Sequence, residues 1–261
     1  MGIVGGCTKG RTALVDRRHP TLVSLNPCTD AILAEVADPE QIRAISHFSH
    51  DPRAASMPQM QARRFRATGG TAEEVLALDP DIVVASSFLP RTRAEAFRKL
   101  GVRVETFGVA STIADSEAQV ERLAALAGHP DRGKALVARI EQALGRTRWT
   151  ETPATALVWQ EGGIVPGEES LIAQLLAHTG FSSLSAARGL GQGAYLPLER
   201  VLTDPPRVIL AAGGERMLSH PALRELEGVR YEQFDPALLY CGGPTIIRAV
   251  KRLHTIRDRL P

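Results

Sequence analysis

Two histidines three residues apart form the most reactive pattern in the sequence. His47 and His50 stand in the segment SHFSHDP, with Phe48 between them and Asp51 directly after. Imidazole nitrogens ligate transition metals, and an imidazole beside a carboxylate can move protons. A pair at this spacing is more often hydrogen-bonded than metal-bound, and no carboxylate clearly completes a metal site. Metal ligation by His47 or His50, and acid–base chemistry by His47 with Asp51, are both open at this point.

Further candidate residues fall in loops that follow predicted strands. Only 5% of the residues are aromatic, so aromatic side chains gathered in loops are informative. Flat apolar faces with a few polar atoms suit a large, planar or bulky ligand. With His47, Phe48 and His50, the predicted ligand-binding residues are Pro27, Cys28, Ser87, Phe88, Trp159, Tyr195 and Tyr240.

Composition and motifs exclude several functions. A net charge of +2 over 261 residues gives no reason to expect nucleic acid as a partner. The sequence contains no G-x-G-x-x-G after the first predicted strand, no G-x-x-x-x-G-K-[ST] and no G-x-S-x-G. These absences favour a binding protein without a cofactor of its own over an enzyme.

The three cysteines do not form a disulfide framework or a zinc pattern. Cys28 and Cys241 either meet across a cleft or are small buried hydrophobic residues. Cys7 lies in MGIVGGCTKG, and small residues such as VGG typically precede the lipid-accepting cysteine of a bacterial lipoprotein. Only six residues stand before Cys7, fewer than a complete signal needs. The leader, residues 1–20, is therefore either an incomplete export signal or a Gly-rich segment of another kind.

Short apolar runs alternate with helical patterns along the chain. Such alternation predicts an α/β fold with mainly parallel sheets, because strands buried on both faces are continuously apolar. The predicted strands are 21–26, 42–46, 81–86, 102–108, 155–160, 207–214 and 229–234.

A long amphipathic helix is predicted near the middle of the chain, at 131–146. It separates the two groups of strands, which favours two Rossmann-like lobes bridged by this helix. The alternative is a surface helix on one continuous sheet. The predicted units are a leader at 1–20, an N-terminal lobe at 21–128, the bridge at 129–150 and a C-terminal lobe at 151–261.

One helix–turn–strand unit occurs twice. AEEVLALDPDIVVAS, residues 72–86, aligns without a gap with LERVLTDPPRVILAA, residues 198–212, and Glu73 falls on Glu199. Any α/β fold repeats such units, but these two occupy matching positions within their halves. The repeat therefore favours two lobes of similar design that face each other across a cleft, where loops at the carboxyl ends of the strands bind ligand.

The segments VSLNPCTDAILAEV, ISHFSHDP, TGGTAEEVLALDPDIVVAS and LGVRVETFG, in this order, resemble the N-terminal lobe of class III substrate-binding proteins of ABC importers. GEESLIAQLLAHTG, LERVLTDPPRVILAAGG and GGPTIIRAVKRL resemble the second lobe of these proteins. Members of this family bind vitamin B12, ferric siderophores or haem. The resemblance implies two α/β lobes joined by a stiff helix that permits little closure.

The resemblance also implies partners and roles. Glu73 and Glu199 match the glutamates that dock onto arginines of the membrane permease, which works with an ATPase. Phe48 matches an aromatic residue that contacts the corrin in vitamin B12-binding members. Arg66, Arg91 and Arg248 are candidates for gripping an anionic siderophore.

The resemblance implies a monomeric periplasmic protein or outer-face lipoprotein that captures a metal chelate and is not an enzyme. The alternative is a cytosolic two-lobed enzyme with its active site in the cleft.

Overall fold

The computed structural model describes residues 19–214, 216 and 220–260. Cys7 and most of the predicted leader lie outside the described residues, so the predictions for this segment are not tested. Within the described part of the chain, no helix is both long enough and apolar enough to cross a membrane.

The first sheet has five strands, all parallel. Their order is β3-β2-β1-β4-β5, so β1 pairs with β2 on one side and β4 on the other. Four strands coincide with predicted apolar runs, whereas β3 has only two residues and no such run. The strands are β1 (Leu22–Ser24), β2 (Ile42–Ser46), β3 (Ala67–Thr68), β4 (Ile82–Ser86) and β5 (Arg103–Phe107).

Helices and short turns lie between these strands in the chain, as parallel pairing requires. Short 3₁₀ turns at Pro39–Gln41 and His47–His50 flank β2. The helices are α1 (Pro27–Val36), α2 (Gln59–Ala62), α3 (Ala72–Leu76), α4 (Arg91–Lys99) and α5 (Ile113–Leu126).

Helix α6, Pro130–Thr147, follows α5 and leads into the second sheet. It has 18 residues and begins with proline in its first turn, where a missing N–H costs nothing. It occupies the position predicted for the bridge, although the unit boundaries drawn from the sequence stay predictions.

The second half contains a four-stranded parallel sheet in the order β11-β10-β6-β8 and a small antiparallel pair, β7 with β9. The strands are β6 (Ala154–Gln160), β7 (Ile164–Val165), β8 (Phe181–Ser183), β9 (Ala194–Tyr195), β10 (Val208–Ala212) and β11 (Arg230–Gln233). The helices are α7 (Leu171–His178), α8 (Leu184–Ala187), α9 (Leu198–Thr203), α10 (Pro221–Arg224) and α11 (Pro244–Arg257). The prediction of a two-lobed α/β fold with mainly parallel sheets is confirmed.

The two sheets share one topology, which explains the sequence repeat. β1 lies between β2 and β4 in the first sheet, as β6 lies between β8 and β10 in the second. The repeated units are α3–β4 and α9–β10, and each strand pairs with the first strand of its sheet. In each sheet the chain adds strands first on one side of the first strand, β1 or β6, and later on its other side. This reversal gives each lobe a switch point, the place where ligands of open α/β sheets bind.

The lobes are packed together more closely than a single bridging helix implies. One continuous hydrophobic core includes buried side chains of α1, α5, α6 and α11, together with strands of both sheets. Gly243, with φ of 60°, lies so close to α1 that a Cβ there would stand 2.5 Å from Ile32 Cγ1. Its N–H also donates to Ser116 Oγ of α5 at 2.7 Å. Such packing leaves little room for hinge motion between the lobes.

Candidate ligand-binding cleft

Pro27 and Cys28 follow the first strand of the N-terminal lobe and lie at the cleft. The Asn26 side chain caps α1 by accepting from the Cys28 N–H at 2.9 Å, and Pro27 fits the first helical turn. α1 therefore starts at the carboxyl end of β1, and both residues line the cavity between the lobes. Their role in ligand binding stays a prediction.

A buried aspartate holds the 3₁₀ turn that carries Phe48. Asp30 Oδ2 in α1 accepts from the Ser46 N–H at 3.0 Å and from Ser49 Oγ at 2.6 Å. Ser46 Oγ then accepts from the Phe48 N–H at 3.3 Å. Burial raises the pKa of the Asp30 carboxyl to about 8, although Ser24, Ser49 and Ser46 oppose the shift. These bonds fix the turn and leave the Phe48 ring 48% exposed at the cleft.

The two histidines of this turn face different surroundings. His47 is exposed and lines a recess of about 220 Å³ that shares Phe48 and Phe88 with the cleft. Its Nδ1 lies 3.3 Å from the Thr68 carbonyl, an oxygen that can only accept a hydrogen bond from the ring. His50 Nε2 lies 3.1 Å from the Ala62 carbonyl, and this residue lines none of the three cavities described here. The structure thus separates the pair as metal-ligand candidates.

The loop after β4 contributes Phe88, which is 77% exposed and lines both the cleft and the recess. Ser86 Oγ accepts from the Phe88 N–H at 3.1 Å and fixes the start of this loop. Ser87, a predicted ligand-binding residue, is exposed, but the cleft lining includes Ser86 in its place. β1 and β4 are neighbours, so these loops meet at the switch point of the lobe.

Tyr240 is the principal side chain that the C-terminal lobe offers to the cleft. It is 57% exposed, its hydroxyl donates to Gln160 Oε1, and burial of the phenol raises its pKa. The phenol is therefore neutral at pH 7. Tyr240 and Gln160 also line a second cavity, of about 870 Å³, at the carboxyl ends of β6 and β10. The two cavities are therefore neighbours across this pair.

The cleft between the lobes has a volume of about 510 Å³, within the usual range for small-molecule sites. Sequence reasoning missed several residues of its wall. The most prominent is Val109, 66% exposed, which follows β5 in the segment FGVAS. Its position after a predicted strand was the available signal. The other missed residues include Ala110, Ser111, Gln160, Glu169, Ser170 and Gln192.

Two predicted ligand-binding aromatic residues lie elsewhere. Trp159 is fully buried in the C-terminal core, where its indole N–H donates to the Leu196 carbonyl at 3.0 Å. The prediction that Trp159 lines the cleft is wrong. β6 extends to Gln160, so Trp159 lies within the strand and its side chain is buried in the core of the C-terminal lobe. Tyr195 is exposed and pairs with Ile164 in the β7–β9 pair, but it packs over Gly163, directly before β7, and lies outside the three cavities.

A disulfide joins the lobes beside the cleft. Cys28, at the start of α1, is bonded to Cys241, which precedes α11, with a sequence separation of 213 residues and Cα atoms 5.0 Å apart. The alternative in which both are unpaired buried cysteines does not hold in this structure. The bond tethers the loops that carry Pro27 and Tyr240, so it fixes the two walls of the cleft relative to each other.

Glu73 and Glu199 occupy matching places on the two lobes. Both are exposed, and each is the second residue of its helix, α3 or α9. A helix that precedes a parallel strand runs against it and therefore begins near the carboxyl edge of the sheet. Both glutamates thus lie on the side of the lobes where the cleft opens. Within the described residues, neither carboxylate has a hydrogen-bond or ion-pair partner.

The acid–base pair required by the enzyme alternative is not assembled. Asp51 Oδ1 accepts from the Arg53 N–H at 3.0 Å, and its Oδ2 lies 3.4 Å from the Arg53 guanidinium. These contacts hold the pKa of Asp51 below its usual range. The carboxylate is therefore paired at the surface, whereas His47 faces the recess.

Known proteins are similar to this chain across both lobes. The sequence model of the family described as periplasmic binding protein matches residues 22–234. No curated protein matches the chain by sequence.

Solved structures of the same fold include the periplasmic haem-binding protein RhuT from Roseiflexus sp. RS-1, with a TM-score of 0.76 and 20% identity over 90% of this chain and 97% of that one. HutB, the periplasmic haem-binding protein of Vibrio cholerae, has a TM-score of 0.76 and 16% identity over 91% and 98%. BtuF, the periplasmic vitamin B12-binding protein of Vibrio cholerae, has a TM-score of 0.70 and 18% identity over 92% and 98%. With the family match across both lobes, the chain belongs to the periplasmic binding protein family.

Proposed function

We propose that this protein is the substrate-binding component of an ABC importer and that its ligand is a metal macrocycle of the haem or corrinoid class. One observation carries the proposal. Four large hydrophobic side chains that are exposed, Phe48, Phe88, Val109 and Tyr240, line a single cavity between the lobes. Aromatic and aliphatic faces around a cleft suit a broad, flat ligand. Structures of haem-binding and vitamin B12-binding proteins share the fold.

The charge of the residues that line the cleft bears on whether the ligand is a macrocycle or an anionic siderophore. Among the described residues that line the cleft, none is lysine or arginine. Arg66, Arg91 and Arg248, the candidates for holding an anionic siderophore, line none of the three cavities. Arg248 instead donates to the Ser56 carbonyl of the other lobe. In the described part of the chain, arginines line only the neighbouring second cavity (Arg53 and Arg252) and the recess (Arg93). The lining of the cleft itself offers no counter-charge to a strongly anionic ferric siderophore and favours a macrocycle whose charged groups reach solvent.

We propose two side chains as candidate ligands of the metal of such a macrocycle. His47 lines the recess beside the cleft, and an imidazole that donates from Nδ1 to the Thr68 carbonyl would leave Nε2 to ligate iron or cobalt. Tyr240 presents a phenol that must lose its proton before it ligates, and its raised pKa opposes that step. We therefore propose His47 as the first candidate and Tyr240 as the second.

Titration with haemin and with cyanocobalamin, each followed by its visible absorption band, tests the ligand proposal. We expect one of the two to bind at one equivalent. Phe88→Ala should weaken binding at least about tenfold, because its exposed ring forms part of the wall. Met60→Ala is the matched control, since Met60 is 86% exposed and lies outside the three cavities. Equal affinity of the two variants, or no binding of either macrocycle by the wild-type protein, would contradict the proposal.

We further propose that Glu73 and Glu199 dock onto basic residues of the permease. Their matched positions on two lobes support this role, although a carboxylate in a first helical turn is also favoured by the helix dipole. The double variant Glu73→Arg/Glu199→Arg should lose uptake in vesicles that carry the cognate importer, with ligand affinity unchanged. Glu95→Arg/Glu227→Arg, which changes one exposed glutamate per lobe, is the control. Uptake that survives in the first variant would rule out the docking role.

Export from the cytoplasm belongs to the same proposal. The family is one of periplasmic binding proteins, and an importer-dependent binding protein must lie on the outer side of the inner membrane. Metabolic labelling with a radioactive fatty acid in an expressing bacterium distinguishes a lipoprotein, labelled through Cys7, from a free periplasmic protein. Recovery of the protein in the cytoplasmic fraction alone would oppose both forms of the proposal.

A further inference from the structure

Three residues with metal-ligating side chains meet on the N-terminal lobe, away from the cleft. His19 precedes β1, Asp38 lies between α1 and β2, and His129 is the residue directly before α6. The chain enters β1 and β2 from this side, so the cluster lies at the amino ends of the strands. The ligand cleft lies at their carboxyl ends, on the opposite edge of the same sheet.

The spacing of the donor atoms suits a small metal ion. One ligand atom from each residue lies within 4.8 Å of the other two. His129 Nε2 is 3.2 Å from Asp38 Oδ2, and the His19 and His129 rings are 4.2 Å apart between centroids. Ligand atoms on a tetrahedral zinc ion, at bond lengths of about 2.0–2.2 Å, stand roughly 3.4 Å apart. One pair already has nearly this separation, and movement of the third donor on the order of 1 Å completes the set.

Surrounding contacts orient two of the donors, as outer-shell groups do at metal sites. Arg132 donates to Asp38 Oδ1 at 2.7 Å, which turns Oδ2 toward His129. Gln41 is fixed by bonds from its Nε2 to the carbonyls of Pro20 and Ala127, both at 2.9 Å. Its Oε1 lies 2.8 Å from His129 Nε2, where it is a candidate fourth oxygen donor.

The guanidinium of Arg132, which donates to Asp38 Oδ1, repels a cation, so we expect a weaker site than one without this neighbour.

We propose that His19, Asp38 and His129 bind one divalent transition-metal ion, with Zn²⁺ the best match to two imidazoles and one carboxylate. The ion would fasten the segment before β1 to the start of α6. Because the site and the cleft lie at opposite edges of the sheet, zinc binding should be independent of the macrocycle. The rival account is a metal-free cluster in which His129 donates its N–H to Gln41 and Asp38.

Isothermal titration of the chelator-treated, dialysed full chain with Zn²⁺, together with native mass spectrometry, tests the proposal. We expect one Zn²⁺ per chain and a rise in Tm of several degrees. His19→Ala should weaken Zn²⁺ binding more than about 100-fold, beyond the roughly 10–100-fold effect typical of an outer-shell partner. His19 makes no hydrogen bond within the described residues, so this variant leaves the rival cluster intact and should fold.

His254→Ala is the matched control. His254 Nε2 lies 3.4 Å from Asp258 Oδ2, but no third donor joins this pair within the described residues. The control should bind Zn²⁺ like the wild-type protein. Absence of a one-equivalent zinc complex in the wild-type protein, or equal Zn²⁺ affinity of His19→Ala and His254→Ala, would overturn the proposal and leave the hydrogen-bonded cluster.

Discussion

Replacement of Asp30 by asparagine should change how stability depends on pH. Asp30 is fully buried, and its Oδ1 has no hydrogen-bond partner within the described residues. Burial raises the pKa of the folded carboxyl from 3.8 to about 8. Between these values the folded state holds a proton that the unfolded state has lost. The free energy of unfolding therefore falls as pH rises through this window and is highest, with respect to Asp30, below pH 3.8.

The size of the effect follows from the two pKa values. They differ by about 4 units, and each unit corresponds to about 1.4 kcal/mol, so ionised Asp30 costs on the order of 5 kcal/mol above pH 8. An asparagine side chain resembles the protonated acid in shape and does not titrate. The Asp30→Asn variant should therefore gain stability relative to the wild-type protein by up to about 1.4 kcal/mol per pH unit between pH 5 and 8.

Urea unfolding followed by circular dichroism at pH 5, 6, 7 and 8 measures this difference. Asp131→Asn is the matched control, because Asp131 also lies in a first helical turn but its side chain is 92% exposed. The stability of the control relative to the wild-type protein should not drift with pH in this range. If Asp30→Asn and the wild-type protein give parallel stability curves from pH 5 to 8, Asp30 does not carry a raised pKa and the reasoning fails.

Two further predictions concern the disulfide and the buried tryptophan. The double variant Cys28→Ser/Cys241→Ser should lose up to about 5 kcal/mol of stability, the chain-entropy value for a loop closed over a separation of 213 residues. Urea unfolding with and without dithiothreitol checks this, and a wild-type protein insensitive to the reductant would contradict a formed disulfide. In the Trp149→Phe variant, emission from Trp159 should resist quenching by acrylamide, because Trp159 is fully buried. Strong quenching there would show that Trp159 faces solvent after all.

The sequence predicted the elements whose signals are local. Apolar runs such as 81–86 correspond to strands buried on both faces, and the 18-residue helix α6 lies where the amphipathic pattern placed it. β3 escaped prediction because two residues are too few to show a pattern, and β8 because its three residues, FSS, contain a single apolar side chain. The small antiparallel pair β7–β9 has strands of the same short length.

The cleft residues were only partly predictable, for a similar reason. Phe48 follows β2 and Phe88 follows β4, and both line the cleft, although their role in ligand binding stays a prediction. Trp159 also lies near the end of a strand. Side chains two residues apart in a strand lie on the same face, so Trp159 shares the buried face of Leu157 and is part of the core, not of a loop. The bond between Cys28 and Cys241 depends on how the two lobes pack, which no local pattern encodes.

Asp30 shows a different limit of sequence reasoning. A carboxylate in a first helical turn is ordinarily solvated, and nothing in CTDAILAEVA indicates full burial. Its role in holding the His47–His50 turn follows only from the three-dimensional contacts with Ser46 and Ser49.

Hydrogen–deuterium exchange of the protein with and without saturating ligand, haemin or cyanocobalamin, tests the central claim most directly. A macrocycle held between the lobes should slow exchange in the loops after β1, β2, β4 and β5 and around Tyr240, and leave the His19–Asp38–His129 region unchanged. Slowed exchange confined to one lobe, or located away from these loops, would contradict a ligand site in the cleft.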